Sequence, residues 1–412
     1  MRPWVHGQRL PVWLPLLLGI LQAVGPISID MYLPAFPAIE ADFHAAPGSA
    51  QITLATWILG LSCGQMLNGT LVDRFGRRTP LLLGTAAYAL ACAGCAMSTS
   101  IAMLAIWRFI AAIGGSASMV VPRAVVRDVS EGHAAARLMS RLILVLGAAP
   151  ILAPSLGGLV LQVANWRVIF WITATYGTLC LLLATLFLPD TLPIARRIVL
   201  HPTTMLARYI HIATERNFIT HTLMLAGGSF SLFAYLGGSP TTFIVYYHLS
   251  PGRFAILFGG IAATYVLFSQ LNVLVTGRLG LDRTLRIMSS LFLALSLLLL
   301  AIQLAGGASP LALAVVLALT QGMNGFISPT GTVGGLANHA VHAGTASALM
   351  LTLQFLIGGS SGFLIAWLTD GTPLPMLELM LAGAIVTKVA DLCRPRRASD
   401  RPARAYGDGN PV

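Results

Sequence analysis

Apolar runs of bilayer-spanning length recur along the chain at about 12–33, 50–71, 80–98, 101–122, 138–163, 167–188, 218–239, 254–276, 285–304, 310–332, 344–368 and 374–392. Roughly 20 apolar residues cross the hydrocarbon core as a helix, so the pattern predicts twelve transmembrane helices with short connections. The first run follows Arg2 and Arg9 as a leader would, but it continues through Asp30 to Pro34 without a small-residue cleavage site and reads as a retained span. The longest polar interruption, 189–217, holds Pro189, Asp190, Arg196, Arg197, Arg208, Glu215 and Arg216 and falls after the sixth run. The expected organisation is a six-helix bundle over 1–188, a cytoplasmic linker over 189–217, a second six-helix bundle over 218–392 and an Arg-rich tail over 393–412.

Composition sharpens this picture. Of 412 residues 56% are apolar and 9% charged, against about 25% charged in soluble proteins, so most of the outer surface must face lipid. The net charge of +11 comes almost wholly from arginine, Lys388 being the one lysine. These arginines are spread along the chain and form no patch, so nucleic acid is not an expected partner. Four of the five cysteines (Cys63, Cys92, Cys95, Cys180) lie in apolar runs and Cys393 in the basic tail, a placement that implies neither a disulfide framework nor a metal site.

With both termini in the cytoplasm, all of the 25 basic residues except Arg108, Arg167 and Arg253 fall on the cytoplasmic side, as the positive-inside bias requires. Leu67, Asn68, Arg74 and Gly76 after the second run recur as Leu271, Asn272, Arg278 and Gly280 after the eighth, an offset of 204 residues. Two parallel six-helix repeats around a midplane site describe a carrier that rocks one half against the other.

Three groups of residues are candidates for the working parts. The loop Gly69-Thr70-Leu71-Val72-Asp73-Arg74-Phe75-Gly76-Arg77-Arg78 combines a glycine suited to a tight reversal with an aspartate among three arginines. Such a cluster can lock one state through charge-assisted hydrogen bonds and release another. Basic residues that merely retain the loop in the cytoplasm would need neither Asp73 nor Gly76. The fifth run contains Gly147-Ala148-Ala149-Pro150-Ile151-Leu152-Ala153-Pro154-Ser155-Leu156-Gly157-Gly158. Its prolines, four residues apart, bend a helix, and its small residues admit a close neighbour. The corresponding stretch of the eleventh run, Gly358 to Gly362, has the small residues without the prolines.

Asp30 in the first run and Arg108 in the fourth are charges within the bilayer, and such residues are functional by default. Their depths differ by roughly one helical turn, so they are expected to pair across a cavity as a proton-coupling and substrate site; a permanent structural ion pair, or an Asp30 near enough to the surface to be hydrated, is the bland alternative. Tyr32, Trp57 and Trp107 lie near the same level and are candidates to line the cavity, although aromatics at span ends also serve as interface anchors. Gly60-Leu61-Ser62-Cys63-Gly64 and Gly358-Gly359-Ser360-Ser361-Gly362 fit a hydrolase nucleophile pattern but lie inside spans, and His339 with His342 lack further ligands nearby. Lys388 follows Thr387 and not a glycine, so no phosphate-cradling loop supports an ATP-driven pump.

The loop at Gly69–Arg78 resembles the signature loop of the major facilitators, and the Gly147–Gly158 stretch resembles the antiporter signature of drug exporters. Asp30-Met31-Tyr32-Leu33-Pro34, Val125-Val126-Arg127-Asp128, Trp166-Arg167-Val168-Ile169-Phe170-Trp171, Ser269-Gln270-Leu271-Asn272 and Ala343-Gly344-Thr345-Ala346-Ser347 further resemble the Bcr/CflA family of drug-resistance exporters. The resemblance implies an all-α membrane protein of two pseudo-symmetric halves, not an enzyme. It would sit in the bacterial inner membrane as a monomer and export small amphipathic drugs such as chloramphenicol or bicyclomycin in exchange for protons, with no cofactor and no nucleotide. Ala111 and Ala112, Thr79 and His342 depart from the pattern, which bears on substrate range and gating. Gln22 stands where some related multidrug exporters have a second carboxylate, implying narrower tolerance of cationic drugs. Export of an endogenous metabolite such as an amino acid, with drug resistance incidental, is the alternative within the class; a non-transporting receptor or scaffold is the alternative outside it.

Overall fold

The computed structural model describes residues 11, 13–130, 132–192, 197, 209–307, 309–339 and 343–395. Most of the expected linker, the tail beyond 395 and His342 lie outside them. Among the described residues there is no strand, and the helices in chain order are α1 (Leu14–Asp42), α2 (Ala50–Phe75), α3 (Arg78–Ala96), α4 (Ile101–Val129), α5 (Gly132–Val163), α6 (Arg167–Phe187), α7 (Arg216–Tyr246), α8 (Pro251–Leu279), α9 (Leu281–Leu304), α10 (Pro310–Leu336), α11 (Ala343–Leu368) and α12 (Leu374–Cys393). Nine of the described helices are long and apolar enough to cross a membrane. The other three, α2, α5 and α12, occupy the second, fifth and twelfth expected runs. Several helices outlast their apolar runs, α1 to Asp42 and α2 to Phe75, because polar end turns keep their backbone hydrogen bonds after the apolar run has ended.

Proline shapes the helices that carry the site. α1 is assembled from Leu14–Gln22, Val24–Asp30, a 3-10 turn at Leu33–Ala35, and Phe36–Asp42, with Pro26, Pro34 and Pro37 removing N–H donors along it. α5 keeps Pro150 and Pro154 within a continuous helix. α7 changes after Pro240 into a π-helical turn over Thr241–Tyr246.

The first six helices pack chiefly through α2 on α4, α3 on α4 and α3 on α6; the last six pack through α7 on α12 and α11 and through α8 on α10. Two seams join these groups, α2 on α11 and α5 on α8. Beside the first seam, Gln51 Nε2 of α2 donates to Thr241 Oγ1 of α7 at 3.2 Å, and along it Ser62 Oγ donates to Thr352 O of α11 at 3.4 Å. Between them, a Cβ on Gly362 would meet Ala55 at 2.9 Å and one on Gly359 would meet Ile58 at 2.8 Å. Farther along α2, a Cβ on Gly69 would meet nothing within 4 Å. The contacts therefore gather at the end of the bundle that carries Asp42 and Arg167. The larger cluster of buried apolar residues extends across this seam, from Leu14 to Met380, whereas a smaller one is confined to residues from Ile212 onward. Large apolar side chains such as Leu90, Val163, Val273 and Trp367 stay exposed on the outside, which is the surface a lipid-facing bundle needs.

Candidate functional site

Asp30 ends the second segment of α1, one residue before the helix breaks. The break leaves backbone carbonyls without helical donors, and Arg108 of α4 supplies one by donating from Nη1 to Ser28 O at 2.8 Å. The guanidinium is 2% exposed and lies over aromatic rings, its central carbon 4.1 Å from the Tyr32 centroid, 4.3 Å from that of Trp57 and 5.9 Å from that of Phe170. A desolvated cation over a π face is stabilised by about 2 kcal/mol or more, which offsets part of the cost of burying it. The Arg108 Nε and Nη2 atoms have no hydrogen-bond partner.

The aromatic cage is itself tied down. Tyr32 OH and Thr53 Oγ1 are 3.3 Å apart, Tyr88 OH bonds Ser28 Oγ at 2.6 Å, and Tyr88 meets Trp57 edge-on at 6.2 Å. Asp30 is 5% exposed, and among the described residues no hydrogen bond or ion pair reaches its carboxylate. The two intramembrane charges thus do not pair among the described residues: Arg108 is held by rings and a carbonyl, and the Asp30 carboxylate is not engaged by it. Tyr235 of α7 lies within electrostatic range of Asp30, and its hydroxyl is buried without a partner.

The other cavity candidates separate. Tyr32 and Trp57 hold Arg108 and so have their faces occupied. Trp107 packs its ring against α3, where a Cβ on Gly94 would meet it at 2.5 Å, and it stands apart from the Arg108 cage. Gln22 is buried with its Oε1 unpartnered.

In the Gly69–Arg78 loop the centre is Arg77, not Asp73. Gly76 closes α2 at φ +89°. Arg77, 5% exposed, then donates from Nε to Asp128 Oδ2 at 2.8 Å, from Nη1 to Asp73 Oδ1 at 2.6 Å, and from its backbone N–H to Asp190 Oδ1 at 2.9 Å. Burial by itself would weaken the hold on its proton; Asp128 and Asp73 more than offset that and raise its affinity above the ordinary arginine value. Of the other two arginines, Arg78 donates to Thr185 O at 2.7 Å and Arg74 lies over the neighbouring Phe75 ring. A Cβ on Gly76 would collide with the Asp190 carboxylate. The loop therefore joins the ends of α2, α4 and α6, and Asp190 takes part although its sequence position suggested only a linker.

The proline-containing stretch of α5 sits between two partners. A Cβ on Gly157 would collide with Met31 O of α1, next to Asp30, while one on Gly158 would meet Pro251 O at 3.2 Å and one on Gly147 would meet Val266 at 3.2 Å, both on α8. The small residues let α5 lie against the broken part of α1 and the second half together.

A second charged cluster was not anticipated from the sequence. Asp391, near the end of α12, accepts from Arg394 Nη2 at 2.6 Å, Lys388 Nζ at 3.0 Å and Ser289 Oγ at 2.8 Å, and Arg394 Nη1 donates to Asp282 at 2.7 Å. The i, i+3 spacing of Lys388, Asp391 and Arg394 was a usable signal. His339 pairs with Glu215, a structural contact. Among the described residues no group of three or more His, Cys, Asp or Glu could hold a metal ion.

The model of the Major Facilitator Superfamily matches residues 18–363. The chain is 33% identical to an uncharacterized MFS-type transporter, YdgK, of Bacillus subtilis over 92% of this chain and 94% of that one. It is 30% identical to a bicyclomycin resistance protein homolog of Haemophilus influenzae (91% and 94% covered) and 30% identical to a chloramphenicol resistance protein of Pseudomonas aeruginosa (90% and 88% covered). Among solved structures, an inward-facing bacterial homolog of the lysosomal transporter Spinster superposes with a TM-score of 0.70 at 14% identity, covering 92% of this chain and 95% of that one. A D-xylose-proton symporter superposes at 0.69 and 15% identity with the same coverage. The sequence matches and the shared fold make the chain a member of the Major Facilitator Superfamily of multi-pass membrane transporters, with drug-resistance proteins among its relatives.

Proposed function

We propose that the protein exports small amphipathic drugs across the bacterial inner membrane in exchange for protons, by alternating access between two six-helix halves, with both termini in the cytoplasm. The carrying observation is Asp30: a buried carboxylate with no partner, on a broken helix, in a chain whose relatives are named for resistance to bicyclomycin and chloramphenicol.

In this reading the contact seam at the Asp42 and Arg167 end is the closed periplasmic side, and the Gly69–Arg78 loop lies at the cytoplasmic side. Drug enters from the cytoplasm while Asp30 is ionised. The halves then rock, with α5 rolling against α8 on its glycines, and Asp30 takes a periplasmic proton as drug leaves. Return carries the proton inward. The membrane potential supplies about 2.3 kcal/mol per charge per 100 mV, enough with a pH gradient to drive concentrative export without nucleotide. Arg108 fixes the α1 break, so that the state of Asp30 is felt by the backbone beside it.

The test is a resistance panel in a pump-deficient host with wild type and Asp30→Asn, paired with proton release from inverted vesicles on drug addition. Wild type is expected to raise inhibitory concentrations of some panel members and to release protons, and Asp30→Asn to do neither. No change for any drug with wild type removes the drug-export reading; equal proton release from Asp30→Asn removes Asp30 from coupling.

A further inference from the structure

Charge is absent from a second polar site, in the other half of the molecule. Between α7, α8 and α10 lies a partly enclosed cavity of about 30 Å3, lined by Gly228, Ser229, Tyr265, Asn324 and Ser328 together with three aliphatic side chains. It has room for one water or one small polar group of a larger molecule. Every residue lining it is uncharged.

Asn324 dominates this cavity. It is 5% exposed, and its Nδ2 donates to Gly228 O at 3.2 Å and to Gln321 Oε1 at 3.2 Å. Both partners are acceptors, so the amide cannot be turned over without placing oxygen against oxygen. Both Nδ2 protons are then used, and no hydrogen bond reaches Asn324 Oδ1 among the described residues. Gly228 is what makes room for that oxygen, because a Cβ there would collide with it. Gln321, one turn earlier and 1% exposed, spends its Oε1 on holding Asn324 and leaves its own Nε2 buried without a partner. A polar group held away from water without a partner is costly, so a site that keeps this oxygen and the Gln321 Nε2 unpaired is suited to a ligand that completes them. Tyr265 and Ser328 bond each other and are not competing for Oδ1.

We infer that Asn324 is a substrate-recognition residue of the second half, accepting a hydrogen bond from the N–H or O–H of a neutral amide- or hydroxyl-bearing substrate, with Gln321 as its positioning residue. The inference rests on the drug-export reading and deepens it: Asp30 and Arg108 on the first half handle charge, and an uncharged oxygen on the second half reads the substrate's donor.

The experiment is a cycle between protein and ligand. Binding of chloramphenicol, which carries an amide N–H and two hydroxyls, is compared with binding of its N-methyl, O,O-dimethyl derivative, which has no such donor, to purified wild type and to Asn324→Leu. Wild type is expected to prefer chloramphenicol at least tenfold and Asn324→Leu to lose at least fivefold of that preference. Gln321→Leu, which removes one of the two acceptors that orient the Asn324 amide, is expected to lose part of it. A preference undiminished in Asn324→Leu, or absent in wild type, overturns the inference while leaving drug export standing. Binding of neither probe by wild type takes the drug-export reading down for this substrate class as well. If Asn324→Leu does not accumulate in the membrane, Gly228→Ala, which displaces the same oxygen from the opposite wall, is read in its place with the same two outcomes.

Discussion

Arg108 donates to the carbonyl of Ser28 at 2.8 Å, two residues before Asp30, and leaves the Asp30 carboxylate unpaired. The guanidinium acts on the helix that carries the acid and not on the acid itself. That difference matters for mechanism, since an ion pair would have to be broken in every cycle, whereas a bond to the backbone can persist while Asp30 changes its proton.

Arg108→Lys tests this arrangement. A lysine keeps the charge but cannot lie flat between Tyr32 and Trp57 while bonding Ser28 O. Given about 0.5–2 kcal/mol for each cation–π face, transport efficiency in vesicles is expected to fall at least tenfold with membrane levels unchanged. Wild-type efficiency in Arg108→Lys would show that charge alone suffices.

Arg77→Ala removes the common partner of Asp73 and Asp128 and leaves a mostly buried Asp128, 15% exposed at its side chain, without its countercharge and held by the Thr191 hydroxyl. Breaking a buried pair from one side costs about 3–5 kcal/mol. Thermal melting of the purified protein is expected to drop by several degrees, and Asp73→Asn, whose carboxylate is half exposed, is expected to drop it much less.

Gly69→Leu separates stability from gating. Nothing stands within 4 Å of that position in this state, so the melting temperature is expected to stay within about 2 °C of wild type. In the proposed alternating access α2 and α11 would come together at this end, so transport is expected to fall sharply. Unimpaired transport would show that the two helices do not close there.

Gly157→Val makes the opposite prediction. Its side chain would collide with Met31 O, separating α5 from the broken part of α1, so both folding yield and transport are expected to fall. Overpacking of this kind typically costs about 1–3 kcal/mol. A normal melting temperature and normal export would place the antiporter-like stretch outside the mechanism.

How much was legible in the sequence depends on the range of the interaction. The helical membrane class, the apolar runs and the family pattern were legible because they follow from local apolarity and from motifs of contiguous residues. Gly76 was legible as a reversal, since a positive φ leaves few other residues suitable. The Arg77 centre was only half legible: Asp73 lies within its own loop, but Asp128 and Asp190 arrive from 51 and 113 residues away. Trp107 was misplaced because depth along a helix can be counted from sequence, whereas the face it turns depends on which neighbour packs there.

The sequence by itself determined a charge-poor helical membrane protein, the runs that hold its two intramembrane charges and the kinship of its motifs, because each is set by residues adjacent in the chain or repeated along it. Tertiary structure decided that Arg108 is caged by Tyr32, Trp57 and Phe170, that Asp30 is left unpaired, and that Gly228 and Gln321 fix one free oxygen on Asn324. Apart from the single turn between Gln321 and Asn324, these relationships join helices far apart in sequence. Each depends on distances of a few ångströms that no spacing along the chain encodes.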